Sequence, residues 1–307
     1  MKRPLIIDIK GHSLDDGPAI RSVVFIKGCP LSCSWCQNPE SQRTTAELSW
    51  DREKCIGCGS CAQICPEQAI SGNNPFFIDR KACSLCFACV ETCPAGALRQ
   101  VGKAMTVDEI VANVLRYRSF FDTSGGGVTL SGGEPTMYMD FSAALLRRFK
   151  EEGLHTLLET CGHFDRDRFE NLIFPWIDTI YMDIKIADRK KHQDHCGISN
   201  DLILENFTWL CGQSAAGKVR FLPRTPLIPG ITDSEAQIAE LIGLYTRHGV
   251  QKACLLGNNP IWIDKCDQLG IPAKPGPLSK LREFYSSKHY EAIRSLFKRE
   301  GITIVSS

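Results

Sequence analysis

The sequence predicts an α/β fold: a partial (β/α)6 barrel of the TIM kind, interrupted by a small inserted domain. Three observations predict it. From residue 101 onward, strand-like and helix-like apolar segments alternate. Ser22 to Ile26 supplies one more apolar strand ahead of them. Between these parts, residues 51–100 break the rhythm and carry eight cysteines.

The elements follow in order. Ser22 to Ile26 is the first strand. Thr106 to Phe121 reads as a helix with Val107, Ile110, Val111 and Val114 on one face. Thr106 and Glu109 have the spacing of a capping box at its start. Val128 to Leu130 is a short buried strand running into Ser131-Gly132-Gly133-Glu134-Pro135. Helices near 139–152, 165–173, 201–212 and 234–248 then alternate with strands near 155–159, 178–184, 218–223 and 252–256. A long helix near 278–299 precedes Ile302 to Val305. Strands alternating with helices imply a parallel sheet with right-handed crossovers. Six such units suit a partial barrel, with chemistry on loops at the strand C-terminal ends. The expected domains are therefore the barrel, 1–50 with 101–307, and an α+β insertion, 51–100.

Composition narrows the class. The chain of 307 residues is 43% hydrophobic and 23% charged, with a formal net charge of +1. That balance suits a globular protein and gives no electrostatic argument for nucleic acid or an anionic membrane. No apolar run approaches the roughly 20 residues that span a bilayer, and the apolar part of Met1 to Ile9 is too short for a secretory signal. A cytoplasmic location is expected. Eleven of the sixteen cysteines lie between Cys29 and Cys93, in three tight groups. A disulfide framework belongs to short chains that cannot build a core, so the grouping points to metal.

The first group, Cys29-x3-Cys33-x2-Cys36, ends the first strand. Three thiolates on a cubane cluster leave one iron open, where a small molecule can be bound and transformed. A structural zinc loop is the alternative. The second and third groups are Cys55-x2-Cys58-x2-Cys61-x3-Cys65-Pro66 and, 28 residues on, Cys83-x2-Cys86-x2-Cys89-x3-Cys93-Pro94. This is the run of bacterial two-cluster ferredoxins, in which the fourth cysteine ligates the other cluster. It assigns Cys55, Cys58, Cys61 and Cys93 to one 4Fe-4S cluster, and Cys65, Cys83, Cys86 and Cys89 to a second, in a ferredoxin-like domain. Relay of electrons to the first group is one role for it; support of structure and docking is the other.

The first group, with Trp35 before its third cysteine, resembles the signature of the radical S-adenosylmethionine superfamily. Asp16-Gly17-Pro18-Ala19-Ile20-Arg21 leading to Gly28-Cys29 resembles, more narrowly, the activating enzymes of glycyl-radical enzymes, such as the pyruvate formate-lyase activase. Thr123 to Pro135, Glu159-Thr160-Cys161-Gly162, Asp183-Ile184-Lys185, His192 to Asn206 and Arg224 to Gly230 extend that resemblance over nearly the whole chain. The resemblance implies an oxidoreductase holding three 4Fe-4S clusters. Its first cluster would chelate S-adenosylmethionine and cleave it reductively to a 5′-deoxyadenosyl radical, which takes hydrogen from a glycine of a partner enzyme. It implies a flavodoxin or ferredoxin as electron donor. Cys29, Cys33 and Cys36 would form the catalytic centre. Cofactor contacts are implied at Trp35, Cys36, Gln37, Gly132, Gly133, Glu134, Glu159, Asp183, Ile184, Lys185, Arg224 and Asn259. Arg224 suits a carboxylate because a guanidinium grips it bidentately.

Two departures stand out. Ala19 replaces a glycine of the family's Gly-Pro-Gly-Ile-Arg, and Asn259 stands where the formate-lyase activase has a histidine. Cys161, Cys196, Cys211, Cys254 and Cys266 lack ligand spacing and read as ordinary packing residues. His192, His195 and Cys196 read as part of a loop rather than a metal set. Rival functions are a radical enzyme acting on a small molecule and a non-enzymatic electron carrier. The chain ends in Gly301-Ile302-Thr303-Ile304-Val305, without a glycyl-radical loop, so the radical would be made on another chain.

Overall fold

A computed structural model describes residues 3–272 and 278–306. Strands β1 (Leu5–Ser13), β2 (Arg21–Ile26) and β3 (Glu47–Trp50) open the chain. Short helices α1 (Ser60–Ile64) and α2 (Ala88–Thr92), then strands β4 (Leu98–Val101) and β5 (Lys103–Ala104), follow. The alternating part runs α3 (Val107–Leu115), α4 (Arg118–Ser124), β6 (Gly127–Gly132), α5 (Met139–Glu151), β7 (His155–Thr160), α6 (Arg166–Leu172), β8 (Thr179–Asp183) and α7 (Arg189–Cys196). It ends with α8 (Asp201–Ala215), β9 (Arg220–Leu227), α9 (Glu235–Arg247), β10 (Lys252–Gly257), α10 (Ile261–Leu269), α11 (Leu278–Leu281), α12 (Ser287–Arg299) and β11 (Thr303–Ile304).

The large sheet has the order β11-β10-β9-β8-β7-β6-β2-β1-β5. Pairing is parallel from β2 through β11, while β1 lies antiparallel between β2 and β5. The six expected parallel strands are present, and each ends its C-terminal edge on the same side. One strand face packs on the helices through Leu130, Leu158, Ile180 and Met182. The other carries a smaller apolar layer of Leu157, Tyr181, Leu222 and Cys254. Among the described residues no helix is long and apolar enough to cross a membrane.

Three expectations are corrected. The helix expected over 106–121 is two, because the chain turns at Arg116–Tyr117 and seats Tyr117 over Gly11 of β1. Its capping box is as expected, with Glu109 N–H donating to Thr106 Oγ1 at 3.2 Å. The helix expected over 278–299 is also divided. Asn258 at the end of β10 donates to the carbonyls of Leu281 and Glu283 and accepts from Tyr285 N–H, fixing a break there. Residues 192–196, expected in a loop, belong to α7. Only His192 and Cys196 of that helix are buried, so it carries no apolar period to read.

The Asp16–Arg21 motif works at the N-terminal end of β2, away from the cysteines. Arg21 is fully buried and donates to Thr129 Oγ1 at 2.7 Å and to the Val128 carbonyl at 2.6 Å. Ala19 adopts φ +63°, the left-handed conformation its glycine counterpart would favour. Such a residue costs roughly 1–2 kcal/mol with a side chain, partly offset by the stiffer unfolded chain. Ala19→Gly is therefore expected to leave the fold intact and raise stability by up to about 1 kcal/mol in denaturant unfolding.

Residues 51–97 lie between β3 and β4, whose antiparallel pairing brings the chain in and out side by side. Leu48, Ile70, Ile78, Cys89 and Leu98 form a separate cluster there. The backbone repeats with the 28-residue period of the cysteines. Left-handed residues Gly57, Gly59 and Gln68 recur at Leu85, Phe87 and Gly96. Helices α1 and α2 occupy equivalent places. Arg80 ties this part to α10, donating to the carbonyls of Leu48 at 2.6 Å and Gln268 at 3.1 Å.

Candidate active site

The loop after β2 is held from several directions. Lys27 is fully buried, with its ammonium 2.6 Å from Glu47 Oε2 of β3. Gly28 has φ +116°, and a Cβ there would meet the Tyr138 hydroxyl at 2.8 Å. Gly133 backs directly onto it: a Cβ at Gly133 would lie 2.1 Å from the Gly28 carbonyl oxygen. That close approach is of backbone to backbone. Farther along, Ser32 N–H and Ser34 N–H donate to the carbonyls of Cys196 and His195, at 2.8 and 3.0 Å. The end of α7 thus clamps the cysteine loop. Lys265 of α10 holds the next turn, donating to the Gln37 carbonyl at 2.9 Å and to Glu40 Oε1 at 2.8 Å.

These constraints place Cys29, Cys33 and Cys36 on the wall of a cavity of about 230 Å³ at the C-terminal ends of the strands. Trp35, Gln37, Gly132, Gly133, Glu159, Asp183, Lys185 and Arg224 line it too. Leu31, Ile228 and Leu256 give it apolar walls. Four of these residues form one charged network. Arg224 Nε donates to Asp183 Oδ1 at 2.9 Å, and its Nη1 donates to Glu159 Oε1. Lys185 Nζ donates to Asp183 Oδ2 at 3.1 Å, and Ser131 Oγ donates to Glu159 Oε2 at 2.5 Å. The guanidinium also lies 5.4 Å from the Tyr181 ring centroid. Burial would raise the Asp183 pKa, but Arg224 and Lys185 outweigh it and hold the carboxyl below its ordinary range. Burial likewise opposes the charge on Lys185, and Asp183 and Cys33 keep it protonated.

Three expected contacts are elsewhere. Glu134 is fully buried, and its carboxylate accepts from Thr136 N–H and Oγ1, Thr160 Oγ1 and Cys161 N–H. Ile184, just past β8, packs in the main core, its N–H donating to the Arg224 carbonyl at 2.8 Å. Asn259 lies in the turn before α10, its Oδ1 accepting from Ile261 N–H at 3.2 Å. Its carbonyl accepts from Gln37 Nε2.

Two cysteines that carried no spacing signal stand at the site. Cys161, after β7, lines the cavity together with Cys29, Cys33 and Cys36. Cys196, at the end of α7, packs in one buried cluster with Cys33. Its proximity, and behind it Lys185, draw the Cys33 thiol down to about 7 against the effect of burial. Burial holds Cys161 well above the ordinary thiol range.

In the repeat, Cys55, Cys58, Cys61 and Cys93 line one cavity of about 270 Å³. Burial, then Cys55 and Cys93, raise the Cys61 thiol. Burial, then Cys83, Cys65 and Cys86, push Cys89 up to about 11. Cys55, Cys58, Cys61 and Cys93 thus share one cavity, although Cys93 is far from the others in sequence. Sets of sulfur donors around cavities suit iron–sulfur clusters in their chemistry.

Two family models match: the radical SAM superfamily over residues 80–260 and a 4Fe-4S binding domain over residues 48–71. The trans-4-hydroxy-L-proline dehydratase activating enzyme of Clostridioides difficile is 40% identical over 87% of this chain and 88% of its own. The benzylsuccinate synthase activating enzyme of Thauera aromatica is 40% identical over 79% of this chain and 75% of its own. The (2S)-3-sulfopropanediol dehydratase activating enzyme of Klebsiella oxytoca is 33% identical over 98% and 96%. In fold, the chain is similar to a radical SAM methyltransferase from Sphaerobacter thermophilus. The TM-score is 0.51 at 14% identity, covering 99% of this chain and 76% of that one. With the cysteine loop at the strand ends and the 4Fe-4S run beside it, these likenesses make the chain a member of the radical S-adenosylmethionine superfamily, among the activating enzymes of glycyl-radical enzymes.

Proposed function

We propose that Cys29, Cys33 and Cys36 hold a 4Fe-4S cluster and that the network of Glu159, Asp183, Lys185 and Arg224 seats S-adenosylmethionine beside it. One observation carries this reading: a single cavity gathers three thiols from one loop and a balanced set of charges from three strand ends. When bound, cluster and cofactor supply the one-electron cleavage that yields methionine and the 5′-deoxyadenosyl radical for a partner's glycine. The chain's own residues bind and orient. Asp183 and Glu159 offer acceptors to the cofactor's ammonium. Lys185, with one of its three N–H donors used on Asp183, offers the others to the carboxylate. Arg224 spends Nε and Nη1 on the two acids, so it orients acceptors as much as it grips a carboxylate. Leu31, Trp35, Ile228 and Leu256 keep water from the reacting atoms. Anaerobically reconstituted protein, reduced with S-adenosylmethionine present, is expected to release 5′-deoxyadenosine and methionine in equal amounts. A fully loaded protein that releases neither, with or without a glycyl-radical partner, would return the chain to the role of electron carrier.

The residues 51–100 are proposed as a ferredoxin-like insertion holding two further clusters, for three in all. The repeated backbone and the cavity shared by Cys55, Cys58, Cys61 and Cys93 support this. Electrons from a flavodoxin or ferredoxin would enter there, and the Arg80–α10–Lys265 bridge toward Gln37 supports a relay. Crossed ligation has a clean signature. Cys55→Ala/Cys93→Ala removes two ligands of one cluster and is expected to cost about four of about twelve irons. Cys55→Ala/Cys65→Ala touches both clusters and is expected to cost about eight. Iron analysis giving the reverse pattern would refute the crossing.

A further inference from the structure

The inner face of the sheet is built in layers. Alternation puts every second residue of β7 to β10 on that face, and the parallel register keeps it continuous across the strands. Glu159, Asp183 and Arg224 form the layer at the C-terminal ends, in the cavity described above. Leu157, Tyr181, Leu222 and Cys254 form an apolar middle layer. The layer at the N-terminal ends is His155, Thr179, Arg220 and Lys252. Branched apolar side chains usually fill a barrel interior. This end is polar instead, and its four residues line a second cavity, of about 820 Å³, which shares no lining residue with the first.

The charge of this second cavity is one-sided. Lys218, Arg220 and Lys252 line it, and none of the three makes an ion pair among the described residues. The acid in the lining, Asp178, is already engaged. Its two carboxylate oxygens accept from Lys150 Nζ at 2.8 and 2.9 Å, and Oδ2 also accepts from Thr156 N–H. Behind His155 lies Arg21, fully buried and without an ion pair among the described residues. Its guanidinium is held by neutral acceptors, including His155 Nδ1 at 3.2 Å. A buried charge with no counter-charge is costly, and an anion nearby would offset it.

Two neutral donors point the same way. Arg21 can only donate, so His155 Nδ1 accepts, and the proton on Nε2 goes to Thr179 Oγ1 at 3.3 Å. Thr179 keeps its own hydroxyl proton to give. Tyr181 is 6% exposed and lines the cavity, and its hydroxyl has no hydrogen-bond partner among the described residues. We propose that the N-terminal end of the barrel is a second binding site, for a small phosphate-bearing molecule. Lys218, Arg220 and Lys252 surround the phosphate, and Tyr181 and Leu222 form the floor. Three unpaired cations exceed what one carboxylate balances, and the Arg220 fork suits phosphate oxygens. The cavity is of the size that holds small ligands.

The test is calorimetric titration of the reconstituted full chain, in low-salt buffer free of phosphate, with and without saturating S-adenosylmethionine. The probes are phenyl phosphate, inorganic phosphate and benzyl alcohol. Both phosphates are expected to bind and benzyl alcohol is not. Arg220→Ala and Lys252→Ala are each expected to weaken phosphate binding by about tenfold, the size of one charge-assisted hydrogen bond, and Tyr181→Phe by about fivefold. Arg220 and Lys252 are exposed, so truncating them leaves the core intact. Tighter binding of phenyl phosphate identifies an ester as the occupant, and equal binding identifies the free ion; either supports the site. No binding of either phosphate at millimolar concentration overturns the proposal. So does binding that survives unchanged in Arg220→Ala/Lys252→Ala. Binding abolished by S-adenosylmethionine also overturns it, since the phosphate then sits in the first cavity.

Discussion

Cys33→Ala will bring 5′-deoxyadenosine formation to background, a loss of more than about a thousandfold, or roughly 4 kcal/mol of transition-state stabilisation. The variant is expected to keep about eight of about twelve irons, because the thiols of residues 55–93 form a structurally separate group. Cys33 is the most constrained of the three loop thiols. It is buried, its neighbours Ser32 and Ser34 are bonded to the end of α7, and Lys185 stands beside it. A complication follows from the geometry. Cys196 packs in the same buried cluster as Cys33, so its thiol can move toward a vacant ligand position. Cys33→Ala/Cys196→Ala removes that substitute, and any residual cleavage in the single variant should vanish in the double. Cleavage at the wild-type rate in a double variant that has lost no iron would rule out the loop as the cluster site.

The barrel was legible because its strands obey a simple rule: apolar runs bounded by helices with a clear apolar face, as Ile110, Val111 and Val114 show in α3. Where helices lack that face, the sequence was silent. Helix α7 reads Arg189 to Cys196 with two buried residues, yet it clamps the cysteine loop. The loop thiols and the ferredoxin-type runs were legible because metal ligation imposes spacing along the chain. Cys161 and Cys196 come to the same place from separate elements, and no spacing along the chain records that. The glycine-rich turn follows β6 as the sequence implies, and its glycines have a structural reason of their own. Gly133 is needed because two strand-end loops touch, not solely to admit a ligand. Glu134 shows the opposite case, a residue of a chemistry-bearing motif whose carboxylate is fully occupied within the protein. Asp183 ends β8, and the chain beyond it puts Lys185 on the cavity and Ile184, expected as a contact, in the core behind it.

Arg224→Leu should destabilise the fold by about 3–5 kcal/mol at pH 7, the usual cost of removing one partner from a buried ionic set. In the wild type the guanidinium is only 7% exposed and answers two carboxylates, Glu159 and Asp183. Without it, Lys185 alone faces Asp183, and Glu159 keeps only the Ser131 hydroxyl. The pH dependence has a definite sign. Asp183 is depressed in the folded protein, so its contribution is present above the ordinary carboxylate pKa of about 4 and is lost as pH falls through the folded value. Removing Arg224 removes that depression, and burial then pushes the carboxyl upward, so it takes a proton at higher pH. The stability gap between variant and wild type should therefore narrow between pH 7 and about pH 5, measured by denaturant unfolding. Arg224→Lys should recover part of the loss, because a point charge can meet one acid well but cannot fork to both. S-adenosylmethionine binding should fall in both variants, since the acids that would face the cofactor's ammonium lose their fixed orientation. A gap that stays constant from pH 7 to pH 5 would mean that Arg224 acts through packing on Tyr181 and not through charge.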